Sequence, residues 1–323
     1  MQRVTVGVLR GGPSNEYEVS LQSGATVLGE LDRGKYEPRD LFVSREGAWH
    51  VNGVPLSPER ALRSVDAVFN VIHGEYGENG QVQRILEAAG VPYTGPDAFV
   101  TALAFNKQKT KDTVSNLGIK TPYGIVLDAS EVSERTVLDL FRSFPMPAMV
   151  KPLSGGSSIG MTLATDFHTL EQGIELARQV AEKILIEEYI RGKEASVGVI
   201  DAFRGEDHYS LLPVEIIPPA TCPFFDYEAK YSGRSQELCP GTFSESEKET
   251  LSSAARKVHA ALRLRDYSRS DFIVSRRGIY FLEVNSAPAI GLSKESLLPK
   301  AIRAIGSKLS DFFGHVVERV RRR

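Results

Sequence analysis

An apolar run, Val4-Thr-Val-Gly-Val-Leu9, breaks at Gly11-Gly12-Pro13-Ser14 and gives way to a helical stretch from about Glu16 to Leu31. Strand, glycine-rich turn and helix in that order open a doubly wound α/β unit. A strand at Pro38–Ser44, a short hairpin at Ala48–Val54, a buried-type strand at Ala67–Ile72 and a helix at Gln81–Ala89 continue it. Val91-Pro-Tyr-Thr-Gly95 closes this unit. A helix from Asp97 to Leu117 leads into a smaller mixed section. Its strands are Tyr123–Leu127, Ala148–Pro152, Met161–Ala164 and Lys183–Glu188, and its helices Val132–Arg142 and Phe167–Ala181. That mixture reads as an α+β insert. Beyond Tyr189 come strand candidates at Glu194–Ile200, His208–Ile216 and Asp271–Val274, with a long polar and aromatic loop from about Pro218 to Phe243. A loop of that length in a compact domain is usually functional or disordered. The pattern therefore predicts an α/β and α+β chain of three domains, at 1–97, 98–188 and 189–323.

Length agrees, since 323 residues exceed what one small core organises. With 41% apolar and 25% charged residues the composition is that of a soluble globular protein. The formal net charge of −2 argues against a nucleic-acid partner. The one basic cluster, Arg319-Val-Arg-Arg-Arg323, reads as the solvated end of a helix. No run approaches the ~20 apolar residues that a membrane span needs, and the N-terminus lacks a signal-peptide pattern. The two cysteines, Cys222 and Cys239, read as free thiols in a reducing cytoplasm.

The richest chemistry lies near the C-terminus. Phe272–Leu282 reads as a hairpin turning at Arg276-Arg277-Gly278. Arg269 and Asp271 are two apart and share a strand face, as do Glu283 and Asn285 on the returning strand. Folding the hairpin brings both pairs together. Three hard oxygen ligands beside an arginine suit a magnesium-bound triphosphate, where the alternative is ordinary salt bridges.

Other segments supply further pieces. Ser154-Gly-Gly-Ser-Ser-Ile-Gly160 lies between two strands and could cradle phosphates as a backbone nest, although it is not a Walker loop. Lys151 just before it, and Lys107, are candidate point charges for phosphate. Glu187-Glu188-Tyr189-Ile190, with Glu194 beyond, is a domain junction whose backbone could pair with an adenine edge; a hinge with exposed acids is the alternative. Phe225-Asp-Tyr-Glu-Ala-Lys230-Tyr231 reads as a lid that closes over the site. Gly11-Gly12 alone is a poor dinucleotide signal, so a dinucleotide oxidoreductase is a weaker reading. Glu16 would either complement a helix dipole or bind a substrate ammonium.

In sequence order these motifs resemble the D-alanine–D-alanine ligases of the ATP-grasp superfamily, over essentially the whole chain. The markers are Gly11-Gly12-x-Ser14-x-Glu16-x-Glu18-Val-Ser-Leu21, His73-Gly74-x-x-Gly77-Glu78-x-Gly80, Pro92-Tyr-Thr-Gly95 and Asn106-Lys107. Lys151-Pro152, Gly156–Gly160, Tyr227-Glu-Ala-Lys230-Tyr231, Cys239-Pro240, Arg269-x-Asp271, Glu283-x-Asn285 and Ser296-Leu-Leu-Pro299 complete them. The resemblance implies an ATP-grasp fold, with a Rossmann-like N-terminal domain and ATP held between the central and C-terminal domains. It also implies ATP-driven activation of one D-alanine as an acyl phosphate, attack by a second, and a dipeptide for peptidoglycan synthesis.

By matching position, Glu16 would hold the first ammonium, and Ser157 and Tyr231 would join it in a triad that ties the lid shut. His73 would line the substrate site. Lys107, Lys151 and Lys230 would contact phosphates; Glu187, Tyr189 and Ile190 the adenine; Glu194 the ribose. Asp271, Glu283 and Asn285 would bind Mg²⁺ or Mn²⁺, two ions in all. Arg269 would stabilise the tetrahedral intermediate, and Ser296 and Leu297 would receive the second carboxylate. A homodimer is expected. Asn79 stands where the family usually has Asp, and Phe225 where it often has Tyr. Ala289 replaces a glycine after Pro288, and the path from Asn285 to Pro299 is about two residues longer than usual. D-lactate and D-serine stay open as acceptors, while Tyr231 points to D-alanine. A nucleotide-sensing shell without turnover is opposed by Arg269.

Overall fold

A computed structural model describes residues 3–155, 160–219 and 235–323. The first sheet has the order β4-β3-β2-β1-β5, from β1 (Val4–Gly11), β2 (Tyr36–Val43), β3 (Trp49–Val51), β4 (Val54–Pro55) and β5 (Ala67–Asn70). β1 runs parallel to β2 and β5, and the crossover from β1 to β2 is α1 (Tyr17–Glu30). The short helices α2 (Pro58–Leu62), α3 (Glu75–Glu78) and α4 (Gln81–Ala88) surround its far end. The predicted hairpin at 48–54 is present as β3 and β4.

The helix expected over 97–117 is broken. α5 (Ala98–Phe105) ends at Asn106, whose backbone is extended and whose side chain accepts from Lys109 N–H to cap α6 (Lys107–Ser115). An asparagine that satisfies an orphan helix donor starts a new helix more readily than it continues the old one. Both helices pack on β15.

The second sheet, β6-β9-β7-β8, is built from β6 (Gly124–Asp128), β7 (Ala148–Pro152), β8 (Thr162–Ala164) and β9 (Lys183–Glu188). α7 (Glu134–Ser143) and α8 (Phe167–Arg178), each with a capping box, cover it. The largest sheet has the order β13-β12-β10-β14-β15, with β11 also on β10. Its strands are β10 (Lys193–Phe203), β11 (Glu206–Ser210), β12 (Val214–Ile217), β13 (Gln236–Leu238), β14 (Tyr267–Ser275) and β15 (Gly278–Ser286). The single strand expected at 208–216 is two, split before Pro213, which has no N–H to give a ladder.

One face of this sheet packs Val197, Val199, Phe272 and Val284 on α9 (Glu245–Ala261). α10 (Leu297–Ala304) and α11 (Leu309–Arg321) fill the space between the first and largest sheets, with Phe312, Phe313 and Val316 buried among Val6, Phe69 and Tyr267. The basic end of α11 is exposed over its last three residues, as expected, but two of its arginines are paired. Arg319 approaches Asp201 at 3.5 Å and Asp266 at 3.8 Å, and Arg323 pairs with Asp266. Buried carboxylates require such partners.

Candidate active site

Strand register assembles the hairpin chemistry. Ser196 on β10 faces Asp271 on β14, which faces Glu283 on β15; Gly198, Arg269 and Asn285 form the next row. Directly opposed residues share a sheet face, so these groups stand together. Strict alternation would also place Phe281 on that polar face. A bulge between Asp271 and Phe272 prevents this by pairing Phe272 with Phe281. The two rings then meet in the core, with centroids 5.8 Å apart, while Glu283 stays opposite Asp271.

Asp271 is the hub of this face. Arg269 donates to both of its oxygens, at 3.1 and 2.9 Å, Ser196 Oγ donates at 2.6 Å, and Asn285 Nδ2 donates at 3.1 Å. The last bond turns the amide oxygen of Asn285 away from Asp271. Two carboxylates and an amide oxygen, all hard donors on one face, fit a magnesium-type ion.

The lysines close the site from the other side. Lys107, in the first turn of α6, lies 3.5 Å from Glu283 and donates to Gly155 O at 2.6 Å. Lys151 on β7 and Lys111 on α6 both pair with the buried Glu187 of β9. Burial, then the charge of Lys151, pushes the Lys111 pKa well below its ordinary value, with Glu283 opposing. The carboxylate of Glu187 thus acts as counter-ion for two lysines. Tyr189 N–H donates to Pro147 O at 2.9 Å, and Ile190 is buried at the junction where β9 leaves for β10. Glu194 lies two residues before Ser196 on the same face of β10.

The N-terminal wall is woven from two loops. Ser14 Oγ donates to His73 O at 2.8 Å, and Glu16 N–H donates to Ser14 Oγ at 3.2 Å. Gly77 is required here, because a Cβ would lie 1.8 Å from Ile72 O. Glu16 is buried at the start of α1. Burial lowers the pKa of His73; Glu16 opposes the shift and Arg269 adds to it. Glu78 accepts from Gly74 N–H at 2.7 Å, yet burial and then the charge of Glu16 push its pKa up to about 8. A cleft of about 1310 Å³ opens between this wall and Ser154–Gly155. Beside it is a recess where Glu78, Lys107, Glu283, Asn285 and Ala289 meet.

Ser296 is the N-cap residue of α10, and its hydroxyl lies 2.7 Å from Ser293 Oγ. Leu298, two residues on, packs over Gly198 in the Arg269 row. Ser23 joins the two walls: its Oγ lies 3.4 Å from His73 Nε2 and accepts from Leu292 N–H at 3.1 Å. Ala289 N–H donates to Ser286 O at 2.7 Å.

The structure therefore gathers Arg269, Asp271, Glu283, Asn285 and Lys107 directly, with Lys151 and Glu187 alongside. Ser157, Lys230 and Tyr231 lie outside the described residues. Sequence reasoning gave no role to Ser196, Lys111 or Glu78. Period two from Glu194 points to Ser196, and an i,i+4 step from Lys107 points to Lys111.

Family models for the D-Ala D-Ala ligase C-terminus and N-terminus match residues 113–318, and 5–59 with 52–96, respectively. A D-alanine–D-alanine ligase of Syntrophobacter fumaroxidans is 35% identical over 98% of this chain and 97% of its own. One from Desulfotalea psychrophila is 36% identical over 98% and 95%. Among solved structures, the VanG D-Ala:D-Ser ligase from Enterococcus faecalis superposes with a TM-score of 0.85 at 27% identity, covering 99% of this chain and 100% of its own. D-alanyl-alanine synthetase A from Vibrio cholerae gives 0.84 at 26% identity, with both chains covered in full. The fold is ATP-grasp, and the chain belongs to the D-alanine–D-alanine ligase family.

Proposed function

We propose that the chain joins two D-alanines at the expense of ATP, through an acyl phosphate. The observation that carries this is the single polar face of Arg269, Asp271, Glu283 and Asn285, met by Lys107. Asp271, Glu283 and Asn285 would hold two ions, Mg²⁺ or Mn²⁺, which supply charge neutralisation for a transferring phosphoryl group. Lys107 and Lys151 would contact the phosphates, joined by Lys230. Glu187 fixes the two buried lysines at the nucleotide end, Tyr189 and Ile190 offer backbone to the adenine, and Glu194 reaches the ribose.

Glu16 would hold the ammonium of the first D-alanine, with Ser157 and Tyr231 closing the lid upon it. His73, held neutral by burial, adds no charge beside that ammonium. Arg269 is bound to Asp271 in advance, so its charge is positioned before an oxyanion forms. The N-terminus of α10 at Ser296 and Leu297 would take the second carboxylate, as helix N-termini do for anions. The three-domain division at 97 and 188, a homodimer and a cytoplasmic location belong to the same reading.

With ATP and Mg²⁺, ADP and phosphate should appear only when D-alanine is supplied. Equal turnover with L-alanine would sink the proposal. A product formed only with D-lactate or D-serine as second substrate would reassign the acceptor.

A further inference from the structure

A second polar cluster lies at the other end of β10, beyond the Arg269 row. Asp201 Oδ1 is shared by His208 Nδ1 at 2.8 Å and His259 Nε2 at 2.9 Å. Among the described residues this is the one group of three such side chains whose ligand atoms all lie within 4.8 Å of one another. We propose that Asp201, His208 and His259 bind a divalent transition ion of the zinc class, apart from the nucleotide cleft.

The surroundings suit a ligand set. Tetrahedral zinc with bonds of about 2.0–2.1 Å sets its ligand atoms roughly 3.3 Å apart, so each Asp201–histidine pair need spread by only about half an ångström, and the histidine nitrogens already lie within 4.8 Å of each other. His259 is fully buried, and its Nδ1 lies 2.7 Å from Ser268 Oγ. With its proton on Nδ1, the imidazole donates to Ser268 and turns the Nε2 lone pair to the ion, an outer-shell bond common at metal-bound histidines. The other oxygen of Asp201 is held by Asp266 N–H at 2.9 Å and by Arg319 at 3.5 Å, which leaves Oδ1 as a monodentate ligand. Arg319 and Arg323 are matched by Asp266, so Asp201 is not their sole counter-ion. His208 is 36% exposed on β11, which gives an ion its way in and leaves room for a water as fourth ligand. Bound there, the ion would tie β10, β11 and α9 together.

The test is calorimetric titration of chelator-treated protein with Zn²⁺ under excess Mg²⁺, with Co²⁺ absorption as a second readout. One equivalent should bind, the Co²⁺ spectrum should show nitrogen ligation, and the melting temperature should rise. His208→Gln keeps a donor for Asp201, and so the fold, but ligates poorly; it should weaken binding at least about tenfold. His168→Ala, at an exposed histidine elsewhere, should change nothing. No binding by the wild type, or equal binding by His208→Gln, would leave the cluster as a hydrogen-bonded triad only and overturn the proposal.

Discussion

Asp271 and Glu78 are buried to the same degree, 7% and 8% exposed, and Glu78 lines the same recess as Glu283, the cross-strand partner of Asp271. Asp271 receives a guanidinium, a hydroxyl and an amide. Glu78 receives one backbone N–H, and burial, then the charge of Glu16, raises its pKa to about 8. The two carboxylates are alike in burial and differ in the number of donors that reach them. The hairpin wall is built around a carboxylate whose partners are already in place. The N-terminal wall is crowded with acids and suited to cationic substrate groups.

The comparison breaks most sharply at Arg269. On the proposed role, in which its charge serves the developing oxyanion, Arg269→Ala should lower turnover by about a thousandfold or more while ATP affinity stays near normal. Parallel loss of binding and turnover contradicts that role. The next largest effect falls on stability. Glu187→Ala leaves Lys111 and Lys151 buried without their shared counter-ion, which should cost about 3–5 kcal/mol in chemical denaturation. An unchanged midpoint would show that neither lysine depends on it.

Glu78 sharpens the contrast through pH. Its folded pKa of about 8 lies above the ordinary 4.5, so the native state holds the proton more tightly than the unfolded chain. Its contribution is complete below about pH 4.5 and is lost as pH rises towards 8. Glu78→Gln should flatten that fall by on the order of 2 kcal/mol, less than the full shift implies because the site relaxes. Parallel pH–stability curves for the two proteins would remove the raised pKa. The smallest effect is at Ser296. Ser296→Ala should raise KM for the second substrate about tenfold, the worth of one hydrogen bond to a charged group, and leave KM for ATP alone. A change in the ATP constant instead would move Ser296 to the wrong subsite.

The hairpin was legible because period two and a glycine turn fix which residues share a face. Its bulge was not, since one extra residue leaves no mark on the alternation until the partner strand is known. Asn106 shows a local signal overridden in the reading: apolar spacing runs through it, yet its side chain caps a new helix. Arg319 and Arg323 read as a solvated tail because their partners lie 118 and 57 residues upstream. The same distance hid the packing of α10 and α11 between two sheets. Glu78 stood inside a motif and Lys111 one turn beyond another, but their roles depend on burial, which sequence spacing does not show.

Mass-spectrometric identification of the product formed from ATP, Mg²⁺ and a mixed pool of D-amino and D-hydroxy acids tests the central claim most directly. D-alanyl-D-alanine should be the main product, in step with ADP. ADP release without any joined product, or a product from L-amino acids, would contradict it.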